Sequence, residues 1–108
     1  GLEAFAPKYR ADGALLIQAH PFRGKCTPAP AELLDGVEVL NLNPRHDSHN
    51  DLALAYAEEH HLLMTAGSDC HRPGDEGTTG ILAETLPEDS FGYADLIRSG
   101  KYTLIRPE

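Results

Sequence analysis

The chain has 108 residues, 41% of them hydrophobic, and 17 acidic against 9 basic side chains give a net charge of −8. That length fits one domain, taken as residues 1–108, and the acidic balance argues against a general grip on the nucleic-acid phosphate backbone, which needs clustered Lys and Arg. No run of about 18 apolar residues offers a membrane span and no basic, apolar leader suggests export, so two lone cysteines read as reduced thiols in the cytoplasm.

Residues 2–11 are mildly amphipathic with Pro7 in the middle, which predicts a short or broken helix or a loop. Residues 14–19 form a short apolar run bounded by Asp12-Gly13 and Pro21, the pattern of a buried strand. Residues 21–30 carry three prolines and a glycine, marking an extended loop, and Pro30 to Asp35 can hold a short helix stopped by Gly36. Val37 to Leu40 reads as the next strand, with Glu38 inside it and Asn41-Leu42-Asn43-Pro44 at its end. Ser48 with Asp51 three residues on resembles a capping box, opening a helix that runs to His60-His61. A strand over 62–67 follows at once. After a polar loop at 72–77, residues 78–83 suggest a further strand. Asp89 or Ser90 caps a last helix that Gly100 ends, and 102–105 closes the chain as a strand. This alternation predicts an α/β fold with a largely parallel sheet.

The stretch 62–67 runs into Ser68-Asp69-Cys70-His71. Alternation along a strand would turn Asp69 and His71 to one side and Cys70 to the other, where it would pack. The run 15–19 leads in the same way into His20. Acids and imidazoles at the C-terminal ends of strands are how α/β proteins build metal sites, so His20, Asp69 and His71 are candidate ligands. Such mixed donors suit Zn, Mn or Fe without choosing among them. Arg23 and Arg72 closely follow those ligands, and their planar forks suit phosphate oxygens. His60 and His61 read as solvated residues at a helix C-terminus, and His46 and His49 as surface residues of a polar loop. Glu38 alternates away from Val37 and Val39, with Arg45 as its expected structural partner.

These residues in this order resemble the C-terminal part of the PHP (polymerase and histidinol phosphatase) superfamily. The matching stretches are Ala19-His20-Pro21-Phe22-Arg23, Gly36 to Asn41, Asn50 to Glu59, Gly67-Ser68-Asp69-Cys70-His71, and Asp95 to Tyr102. The resemblance implies the C-terminal portion of a distorted (β/α)7 barrel that binds two or three metal ions at its strand ends. It aligns His20 with a late ligand and Asp69 and His71 with the last two. It further implies a metal-dependent phosphoesterase acting on a phosphorylated small molecule or nucleotide. The family's opening His-x-His is absent: no two histidines here are separated by one residue. The chain is therefore expected to carry only the second half of the site and to be inactive alone. It would be completed by an N-terminal PHP half, or persist as a non-catalytic remnant that associates with itself. Strands 15–19, 37–40 and 62–67, read as buried on both faces, add to the expectation of a homo-oligomer.

Overall fold

The computed structural model describes residues 1–107. Its elements are α1 (Leu2–Ala11), β1 (Ile17–Gln18), a 3-10 turn (Ala31–Leu33), β2 (Gly36–Asn41), α2 (Asn50–His60), β3 (Leu63–Gly67), β4 (Gly80–Ala83), α3 (Ser90–Ser99) and β5 (Tyr102–Ile105). The first segment is helical in spite of Pro7, which α1 carries inside it. The run expected as a strand over 14–19 forms only two residues of ladder. Just before it the Leu16 N–H donates to Asp35 Oδ2 at 2.8 Å while the Leu16 carbonyl accepts the Asp35 and Gly36 N–H groups at 2.9 and 3.2 Å, so a side chain takes the place of a ladder acceptor there.

β1, β2 and β3 lie side by side in chain order and pair in parallel. α2 joins β2 to β3 and packs against them, and the core forms between: Leu34, Val37, Val39 and Ala57, with Leu54, Tyr56, Leu62 and Met64 around them. Of the strands expected to be buried on both faces, β2 comes nearest. Its residues are buried except Glu38, whereas β1 and β3 are half-buried, as strands at the two edges of a three-stranded sheet must be. The expected capping box is not formed. His49 precedes α2 with a left-handed backbone (φ 49°), while the Ser48 hydroxyl turns inward to Asn41 Oδ1. Asp89 does cap α3, accepting the Gly92 N–H at 2.7 Å, and Gly100 ends that helix at φ 70°.

The parallel sheet stops at three strands and does not close. β4 and β5 pair antiparallel in a separate two-stranded sheet, Gly80 opposite Ile105 and Ala83 opposite Tyr102. The physical reason lies in α3. A crossover helix between parallel strands must lay an apolar face on the sheet, but Ile97 alone is buried on α3. A groove of about 690 Å³, lined among others by Leu82, Leu86, Tyr93 and Leu96, runs between α3 and β4. Strand-helix-strand order therefore does not fix strand sense here. Several contacts join the small sheet to the large one: the Tyr102 hydroxyl donates to the Met64 carbonyl at 2.6 Å, the Ser68 hydroxyl donates to the Thr79 carbonyl at 3.2 Å and accepts the Thr78 N–H at 3.1 Å, and Leu104 packs against the main core.

Candidate metal centre

The C-terminal ends of the three parallel strands bring the chemistry together. His20 lies two residues beyond β1, Asn41 is the last residue of β2, and Asp69 lies two residues beyond β3. Asn41 reaches this side through a bulge. The register runs Glu38 opposite Thr65 and then Leu40 opposite Ala66, which leaves Val39 unpaired. An extra residue shifts the alternation by one, so Asn41 shares a side with Glu38 although the two are three apart. Asn41 Nδ2 duly donates to Glu38 Oε1 at 2.7 Å and to Asp69 Oδ2 at 3.2 Å.

Asp69 stands at the centre. Arg23 Nη1 donates to its Oδ2 at 2.5 Å, and His71 Nε2 lies 2.8 Å from its Oδ1. Arg23 Nη2 reaches His20 Nε2 at 2.8 Å. A guanidinium has no acceptor, so His20 presents the Nε2 lone pair and carries its proton on Nδ1. The same Glu38 Oε1 accepts the His20 backbone N–H at 3.0 Å. Arg23 first, with Asn41 and His71 adding to it against burial, holds the Asp69 carboxyl down to about 2. Asp69 is therefore an anion throughout the neutral range.

His20 (φ 27°) and Asp69 (φ 50°) are two of the four non-glycine residues with positive φ among those described. Residues in this region cost of order 1–3 kcal/mol and persist where surrounding contacts over-determine them. Here those contacts are the Glu38 carboxylate on His20 N and the Asn43 amide on the Asp69 carbonyl at 3.0 Å. This backbone corrects the expected route to the site. β3 ends at Gly67, so Asp69 and His71 meet through a turn and not by strand alternation. Cys70 in turn is exposed near the Arg72 carbonyl and is not packed.

A second carboxylate builds that turn. Asp75 is 4% exposed and accepts the N–H groups of His71 at 3.2 Å and Arg72 at 3.1 Å. Arg45 grips it bidentately, at 3.1 and 2.5 Å. Arg45 is therefore the partner of Asp75, and the expected Glu38–Arg45 pair does not form, because Glu38 is engaged by Asn41 and His20. Arg45 pulls the Asp75 carboxyl far below the usual range.

Of the arginines expected near phosphate, Arg23 is in the cluster, while the Arg72 side chain is exposed and makes no hydrogen bond or ion pair among the described residues. His46, His49, His60 and His61 are all exposed and stand apart from it. Glu38, Asn41 and Asp75 are the residues that sequence reasoning missed at the site. The signal for Asn41 was present as Asn41-Leu42-Asn43-Pro44, a polar run at a buried strand's C-terminal end. For Asp75 it was an acid closing Arg72-Pro73-Gly74.

Residues 47–99 match the family model described as PHP-associated. That segment is similar to the PHP-associated family. It holds α2, β3, the Asp69–His71 turn and α3, and is consistent with the C-terminal part of a PHP-family domain. His20, Arg23, Glu38 and Asn41 precede the PHP-associated segment and complete the cluster from the two strands before it. No curated protein and no solved structure matches the chain.

In kind, the donors fit a divalent cation: two imidazoles and an ionised carboxylate. In spacing the fit is partial. Asp69 and His71 meet at 2.8 Å, near the edge that two ligands about 2.0–2.2 Å from one ion would span. His20 is held off by the width of the Arg23 guanidinium. Among the described residues, no three His, Cys, Asp or Glu side chains stand close enough together to hold an ion. No helix among them is long and apolar enough to cross a membrane.

Proposed function

We propose that this chain supplies the C-terminal half of the metal site of a PHP-type phosphoesterase, with β1, β2 and β3 as successive strands of the family's barrel. The observation that carries this reading is the cluster at the C-terminal ends of the parallel strands, where Arg23 bridges His20 beyond β1 and Asp69 beyond β3, and His71 lies against Asp69. The PHP-associated match over 47–99 supports it. The substrate is a phosphorylated small molecule or nucleotide, and the protein works in the cytoplasm, where its two free, exposed cysteines stay reduced.

A divalent Zn, Mn or Fe ion at this place would lower the pKa of a bound water and offset charge on phosphoryl oxygens. The chain's own residues set the frame for that. Asp69 brings a full negative charge at neutral pH, His71 lies against it, and Glu38 and Asn41 fix the strand ends behind. Arg23 is the group with the reach and the fork to steady a phosphate oxygen. Without the opening ligands of the family the site is half complete, so an N-terminal PHP half is the partner that activity requires.

Calorimetric titration with Zn or Mn tests this. One ion per chain should bind weakly, with binding lost in Asp69→Ala and His71→Ala. Heats absent in the unaltered chain, or unchanged in the variants, would defeat the assignment. Hydrolysis of an aryl phosphate by the chain alone should be negligible. Robust turnover that His20→Ala abolishes would overturn the half-site reading.

A second reading, a non-catalytic module that associates with itself, is favoured by specific exposed side chains. Phe5 and Tyr9 stack on the outside of α1 with ring centroids 6.0 Å apart. Leu86 and Phe91 are 88% and 74% exposed.

A further inference from the structure

We infer that α1 of one copy of this chain docks in the groove between α3 and β4 of a second copy, and that the contact is made twice in a twofold dimer. This rests on the reading of the chain as a module that associates with itself. The groove, of about 690 Å³, is lined on its apolar side by Leu82, Leu86, Tyr93 and Leu96. Leu82, Leu86 and Tyr93 are 63%, 88% and 45% exposed, an apolar patch of the kind that marks an interaction site. Its rim is acidic. Glu84 and Glu88 stand there, both exposed and neither side chain in a hydrogen bond or ion pair among the described residues.

α1 carries the complement. Its inner face is pinned: Ala6 is buried, Leu2 packs against the core, and Arg10 reaches the Glu32 carbonyl and the Asp35 carboxylate. Phe5, Lys8 and Tyr9 stand at i, i+3 and i+4, which puts them together on the outer surface of the helix. The two rings stack with centroids 6.0 Å apart and form one apolar ridge. Lys8 beside it is exposed, and its ammonium has no partner among the described residues. The helix therefore offers an aromatic ridge flanked by a cation to an apolar groove rimmed by two carboxylates. Aromatic anchors on a helix already held in place are where binding energy concentrates, since little ordering is left to do. The size of the contact sets its symmetry. A buried aromatic ring contributes about 150–250 Å², so one helix in one groove, counted over both partners, falls short of the about 1,200–2,000 Å² that a stable interface buries. The same contact made twice reaches it. Two copies of net charge −8 repel each other at a distance, so the pairing of Lys8 with Glu84 and Glu88 selects which faces meet.

Sedimentation equilibrium of the full chain and its variants tests this. Phe5, Lys8, Glu84, Leu86 and Glu88 are all exposed, so their replacement should leave the fold intact, and thermal melts check that it does. The unaltered chain should be a dimer at micromolar concentration. Phe5→Ser on the ridge and Leu86→Ser in the groove should each shift it to monomer. Lys8→Glu should raise the dissociation constant about tenfold, because two surface ion pairs per dimer turn repulsive. Glu84→Lys together with Glu88→Lys should weaken it similarly. All three charge reversals in one chain should restore the dimer, which a merely damaged fold would not do, and this set decides the matter if Phe5→Ser does not fold. A dimer that none of these changes weakens, or charge reversals that do not rescue one another, overturns the docking and leaves self-association standing on another face. A ladder of larger species overturns the twofold pairing. A monomer throughout overturns both the docking and the self-association reading, and gives the groove to a different partner.

Discussion

Asp75 does more for the site than its distance from the ligands suggests, because its carboxylate takes the backbone N–H of His71 while Arg45 neutralises it from the other side. Removing that charge leaves the Arg45 guanidinium without its anionic partner and gives the His71 and Arg72 N–H groups a weaker, neutral acceptor. Asp75→Asn should lower stability, measured by urea denaturation. The pH dependence follows from the direction of the shift. In the folded chain this carboxyl titrates below its ordinary value of 3.8, so the unfolded chain takes up the proton first. The contribution is complete above about pH 4 and drains away as the pH falls toward the folded value. Melting temperature plotted against pH should therefore drop on the acid side, and Asp75→Asn should flatten that limb. An identical limb in the variant would show that other carboxylates carry it. Gly67 gives a second residue-level check. A Cβ there would lie 2.8 Å from Glu38 Oε2, so Gly67→Ala should push the carboxylate away from His20 N and Asn41. The expected cost is about 1–3 kcal/mol together with weakened metal binding. Full stability with normal binding would mean that Glu38 moves freely.

Elements with a strong local pattern are where sequence and structure agree. β5 occupies 102–105 as its apolar run predicts, β3 and β2 differ from expectation by a residue at one or both ends, and α3 has the predicted Asp89 cap and Gly100 stop. What the pattern did not contain are effects set between elements. The direction of β5 depends on whether α3 covers the sheet, and a period of two cannot report that. The bulge at Val39 is invisible in Val37-Glu38-Val39-Leu40, yet it decides which side Asn41 takes. At the site, the ligand types were legible from strand ends, while the turn that joins Asp69 to His71 depends on Asp75, a residue of the next loop. The close approach of β2 and β3 gives a prediction at this scale. A Cβ on Gly36 would meet the Leu63 carbonyl oxygen at 2.7 Å, and backbone cannot step aside as a side chain can. Gly36→Ala should destabilise by about 1–3 kcal/mol. A melting temperature equal to that of the unaltered chain would mean that the strands separate without cost.

The whole molecule leaves large apolar side chains in water at both ends, Phe5 and Tyr9 on α1 and Leu82, Leu86 and Phe91 beside α3. Its sheet also ends at strands with unpaired edges, which attract further pairing. Light scattering at micromolar concentration should therefore find a dimer or higher oligomer, with the 2–11 segment or β1 at the contact, and Phe5→Ser with Tyr9→Ser should shift it toward monomer. A monomer of 11.7 kDa with cooperative unfolding would refute this. The separate pairing of the two sheets has a consequence for how the molecule comes apart. β4 and β5 pair with no strand of the parallel sheet, so once Leu104 leaves the shared core, β4, α3 and β5 can open without that sheet melting. Amide protons of Ile81 and Thr103 should then trade with deuterium well before those of Val37 and Val39. Because Ser68 precedes Asp69 directly, each such excursion would loosen one shoulder of the ligand turn, so the protein's slow breathing and its grip on a cation would rise and fall together.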